Sequence, residues 1–382
     1  MNNSLSRRAW FKSIGGLTTG LVATSLMAES LMAAPVSKAE REFFALPKTN
    51  GKKVRLNSNE NPYGPSEKAK QAMIQSFAEC NRYGFGELEG LKKVIANKMN
   101  VDTSYVLMGA GSAELLVQAG IAVGLEGGRV LSAYPTFGLL MEYAEQMKAK
   151  WDKVDLNSKL EHDYSALLSG IKNDTKLVFS CNPNNPTGTV VNAGIVKSFC
   201  DEASKKTIVY ADEAYLEFLE PSQQKSMMPY VDKNPNLIVS RTFSKAYGLA
   251  GLRIGYIVCH PDLVKKIGQF GDIISPSQTA LAAAMISLGD DEFLKSCREK
   301  NNASRKVLTD YLDKKKIQYG DSKTNVVFFP APKDGKTILS KLDEKGFLIK
   351  IWDYQQKEWC RVSIGTKDEM TAFVKAFDEI IS

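Results

Sequence analysis

Histidine is almost absent from this chain, which has only His162 and His260 among its 382 residues. Zinc sites built from several histidines, and most hydrolase mechanisms that use histidine as a base, therefore have almost nothing to build on. The sequence predicts no metal site. We expect both histidines to be ordinary surface or strand-end residues and not catalytic groups.

Paired cysteines and basic clusters are also missing. The six cysteines contain no Cys-x-x-Cys pair, which argues against a dense disulfide framework in a chain of this length. The formal charge of +7 comes from 50 basic and 43 acidic residues spread along the chain, so we expect no nucleic-acid partner. A hydrophobic share of 43% excludes wholesale disorder, and the length suggests two domains.

The first 34 residues resemble a twin-arginine export signal. Arg7 and Arg8 are followed by Phe11, Lys12 and an uncharged, weakly apolar stretch over residues 13–28. That stretch is too short and too rich in glycine and threonine for a comfortable membrane span. The alternative is an ordinary disordered or helical N-terminus. The resemblance implies a periplasmic protein that is exported after folding, with no membrane association once the signal is removed.

From residue 54 onward, short apolar runs alternate with helical patterns, which predicts an α/β fold around a mostly parallel mixed sheet. The predicted strands of the large domain are 105–108, 130–133, 176–180, 207–211, 237–241 and 254–259.

A second pattern predicts a smaller α+β domain at the C-terminal end. It begins with a long helical segment over 275–315 and closes with a helix that starts in a capping box formed by Thr366 and Glu369. Between them we predict strands at 325–329, 347–351 and 360–364 and a helix at 335–344. The predicted organisation is an N-terminal arm over 35–59, a large domain over 60–275, and an interdomain helix with the small domain over 276–382.

Polar segments follow three of the predicted strands. Residues 182–189 (NPNNPTGT), 212–215 (DEAY) and 242–255 (TFSKAYGLAGLRIG) each stand where an open α/β sheet binds ligands, at the carboxyl end of a strand. In the third segment, two hydroxyls precede Lys245 and an arginine follows eight residues later. These groups suit a phosphate next to a carbonyl with which the lysine condenses. Each segment alone is more often a simple turn or strand end, but the three in this order are strong evidence for a site.

These segments make the chain resemble pyridoxal-phosphate (PLP) enzymes of fold type I, within the class I/II aminotransferase group. It is most similar to the histidinol-phosphate aminotransferases. The resemblance covers nearly everything after the predicted signal, from residues 55–65 (RLNSNENPYGP) to residues 361–366 (RVSIGT).

Carried over residue by residue, the resemblance implies roles around the cofactor ring. Lys245 is expected to hold PLP as a Schiff base and then to move the proton of the substrate. Asp212 is expected to pair with the pyridine nitrogen. Asn185 and Tyr215 are expected to bond the ring oxygen, and Phe137 is expected to stack on the ring.

The same resemblance implies a phosphate site. Ser244, Arg253 and Thr242 are expected to bind the phosphate of the cofactor. The backbone N–H groups of Ser112 and Ala113 are expected to join them, because residues 109–114 (GAGSAE) open a helix whose N-terminus suits an anion.

Further residues match substrate and partner positions of the family. Arg361 matches the arginine that grips the anionic group of the substrate, and Asn59 is expected to lie near the substrate. Tyr83 matches the position that reaches the phosphate of the neighbouring subunit, which implies a homodimer with shared active sites.

Three departures bear on the substrate. The second substrate arginine of the family is replaced by Lys350, which keeps the charge but loses the bidentate fork. A Pro-Tyr element common in the family is missing around residues 45–49. Export is the third departure, because histidine biosynthesis belongs in the cytoplasm. Trp352, Tyr354 and Trp359 either form an apolar side-chain pocket or cover the core of the small domain.

We therefore expect a transaminase that passes an amino group between an amino acid or amino-alcohol phosphate, histidinol-phosphate-like or aromatic, and a 2-oxo acid such as 2-oxoglutarate. One alternative is a PLP-dependent decarboxylase of the threonine-phosphate type. Another, from a different class, is a non-catalytic exported module that keeps the fold. The intact set of cofactor residues, among them Lys245, Asp212 and Arg253, argues against this last alternative.

Overall fold

The structure is a computed structural model that describes residues 53–271 and 276–382. The predicted export signal, most of the predicted N-terminal arm and residues 45–49 lie outside the described residues.

Strands and helices alternate through most of the described chain. The first group of elements is β1 (Val54–Arg55), α1 (Glu67–Ser76), α2 (Phe85–Met99), β2 (Val106–Gly109), α3 (Ser112–Gly124), β3 (Arg129–Tyr134), α4 (Leu139–Gln146), β4 (Lys150–Asp155), α5 (Tyr164–Ser169), β5 (Thr175–Cys181), α6 (Ala193–Ala203), β6 (Ile208–Asp212), β7 (Leu237–Thr242), β8 (Gly255–Cys259) and α7 (Pro261–Gly268). The second group is α8 (Gln278–Ser287), α9 (Asp291–Lys314), β9 (Val326–Pro330), α10 (Gly335–Glu344), β10 (Phe347–Leu348), β11 (Lys350–Tyr354), β12 (Lys357–Ser363) and α11 (Lys367–Ile381). Among the described residues, no helix is long and apolar enough to cross a membrane.

A seven-stranded sheet with the order β2-β8-β7-β6-β5-β3-β4 forms the centre of the larger part. Strand β8 runs antiparallel to both neighbours and the other pairs are parallel, which confirms the predicted mostly parallel mixed sheet. All six strands predicted for this part are present. The edge strand β4 was missed, because four of the six residues in its sequence KWDKVD are charged and the strand is half exposed to solvent.

The C-terminal part holds a three-stranded antiparallel sheet, β11-β12-β9, and β1 pairs in parallel with β10. The predicted capping box at Thr366 and Glu369 is confirmed. One long helix over 275–315 was wrong, because α8 ends at Ser287 and α9 begins at Asp291; position 275 itself lies outside the described residues. A single strand over 347–351 was also wrong, since β10 and β11 belong to different sheets with the buried Ile349 between them.

The sheet topology brings four polar segments to one edge of the large sheet. Strands β5, β6 and β7 are parallel neighbours, so Asn182, Asp212 and Thr242 follow or end them at the same edge. Strand β2 pairs antiparallel with β8, which pairs antiparallel with β7, so β2 and β7 point the same way. The N-terminus of α3 at Ser112 therefore opens at this edge as well.

Candidate active site

A cavity of about 430 Å³ lies at this edge, between the large sheet and the small antiparallel sheet. It brings together all the predicted site residues except Tyr83: Asn59, Ser112, Ala113, Phe137, Asn185, Asp212, Tyr215, Thr242, Ser244, Lys245, Arg253, Lys350 and Arg361. Sequence reasoning missed Ser58, Glu60, Ala214 and Ala250, which also line it. All four stand within the quoted motifs, so their place in a motif was the available signal.

Lys245 is half-buried in the cavity. Its Nζ donates a 3.3 Å hydrogen bond to the carbonyl oxygen of Ser58 and lies 5.7 Å from the ring centroid of Tyr215. Burial, and next to it the positive charge of Arg361, lowers the pKa of Lys245 to about 8. Near neutral pH an appreciable fraction of this amine is therefore uncharged, the form that attacks a carbonyl.

Asp212 ends β6 and is only 2% exposed. Its Oδ1 accepts hydrogen bonds from Ser240 Oγ at 2.8 Å and from the backbone N–H of Ala214 at 3.2 Å. Burial raises the pKa of Asp212 to about 6. Above that pH the cavity holds a buried anion, which is stabilised by a cationic ligand group.

The Arg253 side chain organises the other end of the cavity. Its guanidinium donates to Ser244 Oγ at 3.4 Å, to the carbonyl oxygen of Ala250 at 2.9 Å and to that of Ala110 at 3.1 Å. Thr242 Oγ1 in turn donates to Ser244 Oγ at 3.0 Å. Two hydroxyls and a guanidinium thus converge where the resemblance implies a phosphate.

Two glycines let this end of the cavity form. Gly111 precedes α3 with φ +80°, and a Cβ there would collide with the guanidinium of Arg253. A Cβ on Gly255 would collide with the backbone nitrogen of Ser112. Arg253 itself has a φ of 54°, a conformation that costs energy for a side-chain-bearing residue and that clusters at ligand clamps. This packing brings the N-terminus of α3 next to the guanidinium of Arg253. The N-terminus of a helix and a guanidinium both suit an anion.

Hydrogen bonds connect Asn59 to the residues expected around the cofactor ring. Its Nδ2 donates to the Tyr215 hydroxyl at 2.9 Å and to Asn185 Oδ1 at 3.4 Å. Asn59 also has a positive φ of 54°, and Ser363 Oγ holds it by accepting from its backbone N–H and donating to its Oδ1, both at 2.8 Å. Burial raises the pKa of Tyr215, so this hydroxyl stays protonated at physiological pH.

Arg361 comes from β12 of the small sheet and is buried. Its guanidinium donates to Asn185 Oδ1 at 3.2 Å and to the carbonyl oxygen of Asn57, while its buried Nε has no hydrogen-bond partner within the described residues. Lys350 stands directly opposite Arg361 in the β11–β12 pairing and is exposed. Its Nζ lies 5.4 Å from the Trp352 ring. Two cations therefore flank the mouth of the cavity, one with an unused donor.

Three predictions for individual residues have definite outcomes. Trp359 stacks on Phe328 with a centroid distance of 4.8 Å and contacts the buried Tyr354. Both pack against the hydrophobic core of the large domain and not against that of the small one, and neither they nor Trp352 line the cavity. His260 follows β8 and caps α7, a strand-end position as expected. The surface or strand-end assignment of His162 was wrong, because that ring is 3% exposed in the loop before α5.

Tyr83 lies apart from the cavity, 76% exposed in a separate depression near Gln278. No cluster of three or more histidine, cysteine, aspartate or glutamate side chains suited to a metal ion occurs in the described ranges.

The cavity fits PLP. Its lining offers an amine for the aldehyde, a buried carboxylate for the ring nitrogen, hydroxyl and amide groups for the ring oxygen, and a guanidinium with a helix start for the phosphate. The fold and the site together define a PLP-dependent enzyme of fold type I.

The comparisons with known proteins give the family. Residues 51–377 match the class I and II aminotransferases, and the chain belongs to this family of PLP-dependent transaminases. Histidinol-phosphate aminotransferase 1 of Cupriavidus pinatubonensis is 35% identical over 91% of this chain and 92% of its own length. Histidinol-phosphate aminotransferase 2 of Ralstonia nicotianae is 34% identical over 91% and 93%.

A solved structure shows the same fold. The histidinol-phosphate aminotransferase of Sinorhizobium meliloti, in complex with pyridoxal-5'-phosphate, superposes with a TM-score of 0.79 at 24% identity, over 96% of this chain and 99% of that one.

Proposed function

We propose that this aminotransferase takes its amino group from an anionic donor, an amino-alcohol phosphate of the histidinol-phosphate type or an aromatic amino acid, and passes it to a 2-oxo acid such as 2-oxoglutarate. The observation that carries the proposal is the buried, unpartnered Nε of Arg361 opposite Lys350 at the cavity mouth. An arginine with a free donor suits a carboxylate or phosphate oxygen. Both relatives described above are named histidinol-phosphate aminotransferases.

Cofactor binding is assigned to groups at both ends of the cavity. The phosphate is held by Arg253, Ser244 and Thr242 and by the N–H groups at the start of α3, while Asp212 pairs with the ring nitrogen. The remaining contacts to the ring are assigned to Asn185, Tyr215 and Phe137. When bound, PLP supplies the electron sink that lets the α-proton of the amino substrate leave.

Lys245 is assigned the proton transfer. Its amine lines the cavity, and its lowered pKa of about 8 brings its proton affinity close to working pH. The Ser58 carbonyl accepts from Nζ and so holds the amine on the side of the cavity that faces the chain segment over residues 57–60. Asp212 keeps its negative charge next to the ring nitrogen, and Asn59 holds the Tyr215 hydroxyl in place.

The anionic part of each substrate is assigned to Arg361 and Lys350. Their positions side by side on β12 and β11 favour donors and acceptors that carry negative charge, because a buried guanidinium gains most from a paired anion. Lys350 provides charge without a fixed geometry, which suits a site that accepts both a phosphate ester and a carboxylate in turn.

A donor screen with product analysis tests the proposal. Purified enzyme with PLP is incubated with histidinol phosphate, aromatic amino acids or threonine phosphate, each with 2-oxoglutarate. Glutamate formed in equal amount to the oxo product of an anionic donor supports the proposal. Release of CO2 with no oxo product would establish the decarboxylase alternative instead.

We further propose a homodimer with shared sites. Tyr83 and Phe85, whose ring centroids lie 5.9 Å apart, are exposed by about half or more, as are Ile74 and Phe77 shortly before them in the chain; exposed apolar side chains of this kind suit an interface between two copies. Mixing two inactive variants, Lys245→Ala and Tyr83→Ala, tests the sharing. Activity should return in the mixture, because one site of the heterodimer has both native residues; no recovery, or a monomer in sedimentation, would refute shared sites.

Export by the twin-arginine route is also a proposal. It is supported by Arg7, Arg8, Phe11 and Lys12 ahead of an uncharged stretch. A reporter fused to residues 1–40 should reach the periplasm only when both arginines are intact. Export of the Arg7→Lys/Arg8→Lys fusion would contradict this route.

A further inference from the structure

Ser240 lies directly opposite Asp212 in the parallel pairing of β6 and β7 and is fully buried. Its hydroxyl donates a 2.8 Å hydrogen bond to Oδ1 of Asp212. This residue does not line the cavity, so it acts on any ligand only through the carboxylate.

The hydrogen bonds to Asp212 are unevenly shared between its two oxygens. Ser240 Oγ and the N–H of Ala214 both donate to Oδ1, and these are the hydrogen bonds that the Asp212 side chain accepts within the described ranges. Oδ2 is thereby left for a donor in the cavity. An ionised carboxylate accepts hydrogen bonds at both oxygens, so this arrangement orients the group without using up its capacity.

The Ser240 hydroxyl has one proton, and Oδ1 of Asp212 accepts the hydrogen bond that it donates. The buried hydroxyl of Tyr210, two residues before Asp212 on β6, has no hydrogen-bond partner within the described residues. The carboxylate of Asp212 is therefore the group that fixes the direction of the Ser240 hydroxyl.

We infer that Ser240 is a positioning residue for cofactor binding, which orients Asp212 and stabilises its ionised form toward the ring nitrogen of PLP. The inference rests on the proposed pairing of Asp212 with that nitrogen. Hydrogen bonds to an ionised group are stronger than those between neutral groups, so the contribution of the Ser240 hydroxyl is larger when Asp212 is charged.

The substitution of Ser240 does not alter the identity of the other groups that face Asp212. Glu213 raises the pKa of Asp212 and Lys245 lowers it, while Cys181 on β5 and Tyr215 face it as neutral groups whose own pKa values are raised by burial. The Ser240 hydroxyl lowers the pKa of Asp212 against the effect of burial. Its removal therefore raises that pKa further.

The variant Ser240→Ala tests this inference, with Ser180→Ala as the matched control. Ser180 lies on β5, the neighbour of β6 on the side away from Ser240, and is equally buried. Its hydroxyl shares a 2.7 Å hydrogen bond with the hydroxyl of Tyr164 and not with Asp212. The first readout is the urea midpoint of the cofactor-free protein at pH 5.0 and at pH 7.5. We expect the loss in Ser240→Ala to be larger at pH 7.5, where Asp212 is ionised, and the loss in Ser180→Ala to be the same at both.

The second readout is the Kd for PLP at pH 7.5, followed by absorbance. We expect Ser240→Ala to weaken binding about tenfold, in line with a hydrogen bond to a charged group, and Ser180→Ala to change it less than twofold. A pH-independent stability loss together with an unchanged Kd in Ser240→Ala would overturn the inference. Failure of the unaltered protein to bind PLP would instead refute the proposed function, while the stability readout would still report on Ser240 and Asp212.

Discussion

Arg361 donates a 3.2 Å hydrogen bond to the side-chain oxygen of Asn185. The first residue is assigned to the substrate and the second to the cofactor ring. Arg361 lies on β12 of the small sheet, and Asn185 lies in the segment that follows β5 of the large sheet. An anion that takes over the guanidinium of Arg361 competes with this bond. This hydrogen bond thus connects the residue proposed to hold the substrate anion with a residue proposed to contact the ring oxygen.

Replacement of Arg361 by glutamine should act mainly on substrate binding. Loss of a charged donor pair costs about 1.5–3 kcal/mol, so we expect the KM for the anionic donor to rise about 10- to 100-fold. Steady-state kinetics with the donor found in the screen measures this. Lys345→Gln, which removes a surface cation paired with Glu379, is the control and should leave KM unchanged; equal KM values for both variants would contradict the assignment.

The pH dependence of cofactor attachment follows from the lowered pKa of Lys245. Only the neutral amine attacks a carbonyl, so the rate at which cofactor-free enzyme takes up PLP should rise with pH and level off above about 8. Absorbance stopped-flow between pH 6 and 10 gives the inflection.

The same pH experiment is repeated with a variant of Arg361. Its positive charge contributes to the lowered pKa of Lys245, so Arg361→Gln should move the inflection to higher pH. An inflection near 10.5 in the unaltered protein, the ordinary value for lysine, would contradict the lowered pKa.

Asp212→Asn should stabilise the cofactor-free protein while abolishing transamination. The folded-state pKa of about 6 exceeds the ordinary value of 3.8, so ionisation of this buried group destabilises the fold progressively as pH rises from about 4 to 6. A neutral amide removes that penalty, and we expect a gain of about 1–3 kcal/mol in the free energy of unfolding at pH 7.5.

At pH 3.5 the two proteins should unfold at similar urea concentrations, because Asp212 is then protonated in the folded state and mostly protonated in the unfolded state, where its pKa has the ordinary value of 3.8. Urea unfolding of cofactor-free protein at the two pH values measures the difference. A loss of stability in Asp212→Asn at pH 7.5 would show that the carboxylate is not a destabilising group in the empty site.

Two substitutions of Lys350, one expected to lower the KM and one expected to raise it, test its proposed role in binding the substrate anion. Lys350→Arg restores a fork that binds two oxygens of one anion, and we expect the KM for a phosphate donor to fall a few-fold. Lys350→Met removes the charge and should raise it. Unchanged KM in Lys350→Met for every anionic donor would show that this exposed lysine does not bind substrate.

Sequence reasoning located the site because its residues sit in segments whose order along the chain is distinctive. Asn185, Asp212 and Lys245 follow three apolar runs, and parallel strands bring such positions to one edge whatever the details of packing. The large sheet was also predictable, because its buried strands form continuous apolar runs in the sequence.

The features that were missed depend mostly on strand pairing, which cannot be read directly from the sequence. Lys150–Asp155 is an edge strand in which four of the six residues are charged, and Ile349 separates two strands that belong to different sheets. Ser240 has no motif of its own and becomes notable only through the register that sets it opposite Asp212. The break between Ser287 and Asp291 is different, because it falls at Gly289 and at Asp290, the N-cap of the next helix, and these residue types commonly end and begin helices; this signal in the sequence was missed.

The most direct test of the account is to map where PLP attaches. Purified protein incubated with PLP should absorb visible light, and borohydride should bleach that absorbance and leave a phosphopyridoxyl group on the peptide that contains Lys245, as seen by mass spectrometry. The Lys245→Ala variant should carry no label on that peptide and should show no turnover. A protein that stays colourless with excess PLP, or a label found on a different lysine, would contradict the central claim.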